Sequence, residues 1–365
     1  MNIKVDRKQC SEALETVSSV VSSRPTRPIL GNALVDARKK EIVLTATDLE
    51  VGIVLHLEAQ VKGEGRLTVP AKKLLDVVRE MPGDSVEIDT DSANRMTIKA
   101  GSVEIKLLGL PPDEFPQLPE VKKDAEVSIA GPLISTMIRR TIYAVSADET
   151  RYVLNGAYLI WEKGEIKMIT TDGRRLAYMH APLAGAAGKG GAIVPTKALQ
   201  ELVNLIGQKE DSVSIVLGEG YAKFTLGGST LTTRLIDGNF PDYEQVIPKA
   251  QDKKAVVDTD ALQSAVKRAS LIASDRASSV RLDLKKGMLT LSAASHELGE
   301  AREDVPVKYD GEALSVAYNA RYLMDVLKHA DSKEIVLELS TALAPGVVKP
   351  VGDDGYVCVV MPIRL

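Results

Sequence analysis

Two aspartates are the side chains of this sequence that come nearest to a catalytic pattern. Asp48 and Asp172 each follow a threonine, 124 positions apart, and a pair of carboxylates could serve general acid–base catalysis. A Thr-Asp pair at the end of a strand more commonly hydrogen-bonds its own turn, and the third equivalent position holds His296. An enzyme that uses Asp48 and Asp172 is therefore the weaker hypothesis, and we assign no catalytic residue.

Metal and phosphate chemistry also lack a suitable pattern. The histidines and cysteines are too dispersed for a metal-binding motif: His56, His180, His296 and His329, with Cys10 and Cys358 near opposite ends. Residues 185–191 form a glycine-rich run, but Lys189 is followed by Gly190 and not by the Ser or Thr of a phosphate-binding loop. We expect a flexible loop there, and we predict neither a metal nor a cofactor.

Composition limits the possible partners. The chain of 365 residues is 44% hydrophobic and 26% charged, with a formal net charge of −4, which argues against a protein that coats DNA. One Trp, ten Tyr and three Phe are too few for stacking on single strands. No apolar run approaches the ~18 residues of a membrane span, and the first residues lack a secretory pattern, so we expect a cytoplasmic protein. Any contact with nucleic acid should be local, directed to the backbone and made to duplex.

The chain repeats itself three times. Residues 68–78 recur as 193–203 and again as 317–327, at spacings of 125 and 124. Residues 27–34 recur as 151–158, again 124 positions later. The length is therefore that of one domain of ordinary size in three tandem copies.

Each copy predicts the same order of elements. A short strand leads into an amphipathic helix, which Asp6 and Gln9 would cap in the first copy, and several strands and a second helix follow. Two helices and about eight strands per copy indicate an α+β domain with helices on one side of antiparallel sheets. Proline-rich joints at 109–119 and 237–248 separate the copies, which gives domains at 1–120, 124–248 and 252–365.

Basic residues recur on the predicted helices, opposite the apolar face. Lys72, Lys73 and Lys197 lie on second helices, and the first helices carry further pairs: Arg7 and Lys8, Arg139 and Arg140, Lys267 and Arg268. Acidic residues share these helices, so a solvated surface is one interpretation. The alternative is a set of loose contacts to phosphates without sequence preference.

Four segments identify a family resemblance: 171–177 (TDGRRLA), 240–243 (FPDY), 23–32 (SRPTRPILGN) and the terminal 359–365 (VVMPIRL). In these the sequence resembles the β subunits of bacterial DNA polymerase III, the sliding-clamp family, over its whole length. The resemblance implies three clamp domains per chain and a head-to-tail homodimer whose six domains form a ring around duplex DNA. The implied function is that of a processivity factor, without catalysis; a ring scaffold for proteins alone is the alternative.

The resemblance also implies three groups of site residues. Contacts to DNA are expected from the following: Arg24, Arg27, Lys72, Lys73, Arg139, Arg140, Tyr152, Lys197, Lys267 and Arg268. Short peptides of the polymerase III catalytic subunit, the clamp loader, other polymerases and repair proteins are expected in an apolar cleft. Its residues would be Leu154, Thr171, Gly173, Arg174, Arg175, Leu176, Pro241, Val246, Leu343, Val359, Val360, Met361, Pro362, Ile363, Arg364 and Leu365.

The third group is the implied dimer interface. Its apolar residues are Ile105, Leu107, Leu271 and Ile272, and its charged residues are Lys73, Arg95, Lys106, Glu297, Glu300 and Glu303. Exposed ion pairs contribute only about 0–1 kcal/mol each, so we expect the apolar contact to dominate. Arg174, Gln245 and Ala277 differ from residues common in the family and bear on which partners the cleft prefers.

Overall fold

A computed structural model describes residues 1–22, 25–183, 188–207, 211–273 and 278–364. The chain divides into two compact units. Unit 1 comprises Met1–Ser135 and Val194–Ile236, and unit 2 comprises Thr136–Ile193 and Asp237–Leu365. The middle sequence copy is thus shared between the units. Of the predicted glycine-rich loop, residues 185–187 lie outside the described part of the chain.

Two helices per copy are confirmed. They are α1 (Arg7–Val20), α2 (Ala71–Glu80), α3 (Gly131–Thr141), α4 (Thr196–Ile206), α5 (Thr259–Ser270) and α6 (Ala320–Lys328). Short 3-10 turns lie at Pro28–Gly31, Pro112–Glu114, Ile142–Ala144 and Glu149–Leu154. The predicted cap of α1 is present, since the Asp6 carboxylate accepts a hydrogen bond from the Gln9 amide at 2.9 Å. Asp258 caps α5 in the same way through the Ala261 amide at 2.8 Å.

The strands also recur by copy. In the first copy they are β1 (Asn2–Asp6), β2 (Asn32–Arg38), β3 (Glu41–Thr47), β4 (Val51–Glu58), β5 (Gln60–Gly63), β6 (Gly65–Pro70), β7 (Ser85–Thr90), β8 (Arg95–Ala100) and β9 (Val103–Leu108). In the second they are β10 (Ala125–Ala130), β11 (Gly156–Glu162), β12 (Glu165–Thr171), β13 (Arg175–Pro182), β14 (Gly190–Pro195), β15 (Ser212–Gly218), β16 (Tyr221–Leu226) and β17 (Ser229–Arg234). In the third they are β18 (Lys253–Asp258), β19 (Ser279–Lys285), β20 (Met288–Ser295), β21 (Gly299–Lys308), β22 (Leu314–Asn319), β23 (Glu334–Leu339), β24 (Gly346–Pro350) and β25 (Tyr356–Val360).

Sheets cross the boundaries between sequence copies. In unit 1 one sheet has the order β10-β15-β16-β17-β4-β3-β2-β6 and another has the order β5-β1-β7-β8-β9. In unit 2 the order runs β11-β12-β13-β25-β24-β23-β18-β21-β20-β19-β22. The antiparallel pairs β4·β17 and β13·β25 each join one copy to the next, and this pairing explains why both units contain part of the middle copy.

The last strand lies inside its sheet. β25 pairs with β13 on one side and β24 on the other, and all five of its residues are buried. Two paired neighbours and burial on both faces make this an interior strand.

The helices pack as the apolar spacing predicts. In unit 1, Leu14 and Val17 of α1 are fully buried with Leu74 of α2. In unit 2, Val266 of α5 and Val326 of α6 are buried in the same way. Side chains at helical spacing thus place one face of each helix in the core and leave the charged face to solvent.

The low reactivity expected of the two buried thiols is a testable consequence of this packing. Burial raises the pKa of Cys10 to about 12 and that of Cys358 to about 11. A rise of two units lowers the thiolate fraction roughly 100-fold at pH 8. We predict that a disulfide reagent modifies the native protein at least about 100-fold more slowly than the urea-unfolded chain; equal rates would contradict the burial of both thiols.

Candidate functional site

The two Thr-Asp pairs form matching turns. The Asp172 carboxylate accepts hydrogen bonds from the Arg174 and Arg175 amides at 2.8 and 3.0 Å, and the Thr171 hydroxyl donates to the Arg175 carbonyl oxygen. Asp48 holds the amides of Glu50 and Val51 in the same manner, at 3.0 and 2.8 Å. These carboxylates therefore organise turns, as the more common interpretation predicts. In unit 2 the turn ends at β13, where the predicted cleft lies.

Arg175 is the centre of a polar network beneath this turn. Its side chain is only 10% exposed and donates to Asp172 at 3.1 Å and to Asp325 of α6 at 2.5 Å. It also donates to the carbonyl oxygen of Tyr143 at 2.6 Å, and its guanidinium lies 4.7 Å from the ring centroid of Tyr322. Two carboxylates, a carbonyl and an aromatic face satisfy the buried cation and link the second copy to the third.

Apolar residues form the floor of the predicted cleft. Leu154, Leu176 and Val359 are buried, and the last two belong to a cluster with Val347 and Val357. Larger side chains at the rim keep much of their surface open to solvent: Leu343 is 64% exposed, and Val246 and Met361 are each 39% exposed. A buried apolar floor beside exposed apolar side chains is typical of a surface that accepts a hydrophobic ligand.

The proline-rich joint packs against the same sheet. Phe240 stacks on Tyr158 of β11 with ring centroids 5.2 Å apart, and Tyr243 stacks on Tyr178 of β13 at 5.8 Å. Burial raises the pKa of both Tyr178 and Tyr243 to about 12. The aromatic contacts thus fix Pro241 and Val246 at the cleft.

Two backbone hydrogen bonds hold the C-terminal residues. The Met361 amide donates to the Arg174 carbonyl oxygen at 2.9 Å, and the Ile363 amide donates to the Ala317 carbonyl oxygen at 2.8 Å. Pro362 is half-buried between them, Arg364 is exposed, and Leu365 lies outside the described residues. The predicted cleft residues of the described chain therefore all lie in unit 2. They belong to the turn at 171–175, the joint, strands β13 and β25, the tail, the 3-10 turn that ends at Leu154 and the segment between β23 and β24 that holds Leu343.

Sequence reasoning missed three residues that hold this arrangement. Arg151 donates to the Asp172 carbonyl oxygen at 2.8 Å, and Tyr322 and Asp325 hold Arg175. Arg151 belongs to the repeated segment 151–158, and this recurrence is the signal by which the sequence could have identified it. Nothing in the sequence distinguishes Tyr322 and Asp325 from ordinary surface residues of an amphipathic helix.

The basic residues predicted to contact DNA differ in availability. Five basic side chains are exposed on helices or loops: Arg27, Lys72, Lys73, Arg139 and Lys267. Tyr152 is 59% exposed, while Arg24 lies outside the described residues. Three further basic residues have carboxylate partners, Arg140 with Asp353 at 2.7 Å, Arg268 with Glu303 and Lys197 with Asp48. The Lys197 ammonium also donates to the Val20 carbonyl oxygen at 2.9 Å, so phosphate would compete with existing partners at these three positions. The exposed Lys73 also pairs with Asp76, at 3.5 Å.

The residues of the predicted dimer interface lie around two strand edges. β9 is the last strand of its sheet, and β21 pairs with β18 only at residues 307 and 308. Ile105 and Leu107 are half-buried on β9, and Leu271 is 70% exposed after α5. The expected charged residues already have partners within the chain, as in Lys73–Asp76, Arg95–Asp91, Lys106–Glu104 and Glu303–Arg268; Glu297 and Glu300 are exposed.

The described residues contain no group of three or more His, Cys, Asp or Glu side chains placed to hold a metal ion. No helix within the described ranges is long and apolar enough to cross a membrane.

Family models match the chain in three consecutive segments. These are the N-terminal, central and C-terminal domains of the DNA polymerase III beta subunit, at residues 1–119, 128–242 and 244–364. The chain belongs to the DNA polymerase III beta subunit family. The three matches confirm the threefold repeat and the resemblance found in the sequence.

Individual members agree along the full length. The beta sliding clamp of Pseudomonas putida is 35% identical over 369 residues, covering 100% of both chains, and that of Staphylococcus aureus is 30% identical with 99% of it covered. A sliding clamp from Pseudomonas aeruginosa bound to griselimycin superposes with a TM-score of 0.97 at 34% identity, covering 100% of both chains. A clamp from Bacillus subtilis gives a TM-score of 0.95 at 28% identity, with 100% of this chain and 99% of that one covered.

Replacement of Arg175 tests the network at the cleft. We expect Arg175→Met to lower the free energy of unfolding by about 2 kcal/mol, because Asp172 and Asp325 would lose their cation while remaining partly solvated. The neighbouring Arg174 is exposed, so Arg174→Ala is the matched control and should change stability by less than about 0.5 kcal/mol. Thermal melting of both variants provides the measurement; equal melting temperatures would contradict the role given to Arg175.

Proposed function

We propose that this chain is a sliding clamp, a processivity factor that encircles duplex DNA as a homodimeric ring in the cytoplasm and performs no catalysis itself. The observation that carries the proposal is the match of all three beta-subunit domains in consecutive order. We place its domains at 1–120, 124–248 and 252–365. The sheet edges at β9 and β21 provide each chain with two surfaces through which two copies can close head to tail.

The exposed basic residues account for sliding. Arg27, Lys72, Lys73 and Arg139 each offer a weak attraction to phosphate that is equal at every base pair. Such contacts set no preferred register on the duplex, and enclosure rather than affinity prevents dissociation. A net charge of −4 is compatible with this function because only the surface facing DNA needs to be basic.

The cleft of unit 2 would bind partner proteins. A short peptide with apolar side chains fits a buried floor at Leu176 and Val359 and an exposed rim at Leu343 and Met361. A related clamp from Pseudomonas aeruginosa is bound to griselimycin. We propose that peptides of the polymerase III catalytic subunit, the clamp loader, other polymerases and repair proteins occupy the site in this chain.

Retention on DNA of different topology tests the proposed function. After loading by a clamp loader, the protein should stay on nicked circular DNA and be lost from the same DNA once it is linearised, because a ring can slide off free ends. High salt in the wash should remove electrostatically bound protein from both substrates but leave a topologically linked ring on the circle. Equal loss from circle and line would instead support a ring scaffold that does not enclose DNA.

Removal of the tail tests the cleft separately. Deleting residues 361–365 should reduce binding of a fluorescent partner peptide at least tenfold, since it removes Met361 from the rim and its hydrogen bond to Arg174. β25 ends at Val360, so the sheet should remain and the oligomeric mass should not change. A deletion variant that sediments as a monomer would show that the tail serves assembly instead.

A further inference from the structure

The end of α3 lies where the second copy of the repeat meets the third. Strand pairs connect consecutive copies, β4·β17 at the first joint and β13·β25 at the second. At the second joint, three backbone carbonyls at or just beyond the end of α3 accept hydrogen bonds from side chains of three strands: Tyr356 donates to Arg140, Thr170 to Thr141 and Arg175 to Tyr143. Helix-end carbonyls lack partners within the helix, so these strands supply them.

The side chain of Arg140 holds the turn that leads into β25. It is only 15% exposed, and its guanidinium donates to the Asp353 carboxylate at 2.7 Å and lies 5.3 Å from the ring centroid of Tyr356. The same carboxylate accepts a hydrogen bond from the Gly355 amide at 3.0 Å, and the Gly355 carbonyl oxygen accepts one from the His180 amide at 2.8 Å. Arg140 thus contacts the start of β25 through both its backbone and its side chain.

A row of buried hydrogen bonds extends this contact along the strand. Tyr356 donates to the Arg140 carbonyl oxygen at 2.7 Å, so its hydroxyl oxygen accepts from Tyr143, 3.2 Å away. The Tyr143 hydroxyl has then used its only proton, and the Cys358 thiol, 3.0 Å away, is the donor to it. Burial raises the pKa of both tyrosines well above the usual value, which keeps the hydroxyls protonated. The first and third residues of β25 are therefore both held by the end of α3.

The strand carries this constraint to the cleft. Val359 and Val360 follow Cys358 directly and are buried, and Met361 at the rim is 39% exposed. Along a strand, residues 359–361 lie within about 10 Å of Cys358. Because β25 is paired on both sides, the position of its first residues determines where the floor and the rim of the cleft lie.

The first joint is built differently at the end of its helix. The residues 124 positions before three of those at the second joint have shorter side chains: Thr16 for Arg140, Ser19 for Tyr143 and Val51 for Arg175. The Thr16 carbonyl oxygen accepts a hydrogen bond from Ser19 of its own helix at 2.8 Å, and Val51 carries no side-chain donor.

The rim of the first joint differs as well. The Arg234 amide donates to the Glu50 carbonyl oxygen at 2.9 Å, as the Met361 amide does to that of Arg174 at the second joint. Arg234 and Glu50 are both exposed, so charged side chains stand where the second joint has the apolar Met361. The two joints thus differ in the same two features, the contacts at the helix end and the character of the rim.

We propose that Arg140 is a positioning residue of the partner cleft and does not contact DNA. Its contacts to Tyr356 and its ion pair with Asp353 hold β25 where Val359 and Met361 form the floor and the rim. A preformed floor spares a bound peptide the free energy of ordering it. The guanidinium is largely buried and already paired, which leaves little of it for phosphate. This inference rests on the proposed function of the cleft.

Peptide binding by Arg140→Met tests the positioning role. Methionine keeps much of the volume of arginine but removes its charge and its donors. Well below the melting temperature, the variant should bind a fluorescent peptide of the polymerase III catalytic subunit about threefold to tenfold more weakly than wild type, mainly through faster dissociation. Arg140→Lys keeps a cation within reach of Asp353 and should bind within about twofold of wild type. A lower melting temperature of Arg140→Met with an unchanged dissociation constant would overturn the proposal.

Tyr356→Phe tests the backbone contact separately. It keeps the ring in the core and removes only the hydroxyl that donates to Arg140, so it should weaken peptide binding about twofold to threefold. Combined with Arg140→Met, it should lose less than the product of the two single effects, because both act on the same strand. Losses that multiply would show that the two residues act independently and would contradict the account.

Two further variants control for charge. Lys333→Met removes one positive charge from an exposed residue outside both proposed sites and should change neither peptide nor DNA binding. Arg139→Met, on the exposed face of α3, is the reference for a DNA contact and should weaken the salt-dependent association with a linear duplex. Arg140→Met should leave this association at the wild-type level.

The outcomes separate the positioning role from the proposed function. A wild-type protein that does not bind the peptide would contradict the proposed cleft itself. Wild-type binding together with equal binding by Arg140→Met would overturn the role of Arg140 alone. Weaker association of Arg140→Met with the duplex, at unchanged peptide affinity, would return Arg140 to the residues that contact DNA.

Discussion

Unpaired strand edges are the constraint on which this structure depends. Each copy of the repeat presents a row of backbone amides and carbonyls that must find partners or remain in water. β17 pairs with β4 at one boundary and β25 pairs with β13 at the next, so the chain satisfies two such edges internally. β9 ends its sheet and most of β21 lacks a partner on its β18 side, and we propose that a second chain pairs with these edges.

The cleft is a consequence of the second joint. Because β25 pairs with β13, the chain end emerges next to the Thr171–Arg175 turn, and Met361 bonds to the Arg174 carbonyl. The Arg175 side chain forms ion pairs with Asp172 of this turn and with Asp325 of α6, and so links the two. The position of the proposed partner-binding site therefore follows from the same strand pairing that joins consecutive copies, and the buried Arg175 cation holds the turn beside it.

Much of this organisation could be predicted from the sequence because it depends on periodicity. The recurrence of 68–78 at intervals of 124–125 gave three copies, and apolar spacing placed residues such as Leu14 and Leu323 in the core. Long-range pairing is harder to predict, because the sequence pattern of a strand such as β25 does not show which strands will pair with it. The network around Arg175 was missed for a similar reason, since it joins residues from four distant segments.

Sedimentation equilibrium over a wide range of concentrations tests most directly whether the open edges close into a ring. A closed head-to-tail dimer predicts one species of twice 39.3 kDa that does not grow as the protein concentration rises. Both β9 edges and both β21 edges are then used. A mass that increases continuously with concentration would indicate an open chain of subunits, and a mass of 39.3 kDa at all concentrations would show that the edges do not pair; either result would contradict the account.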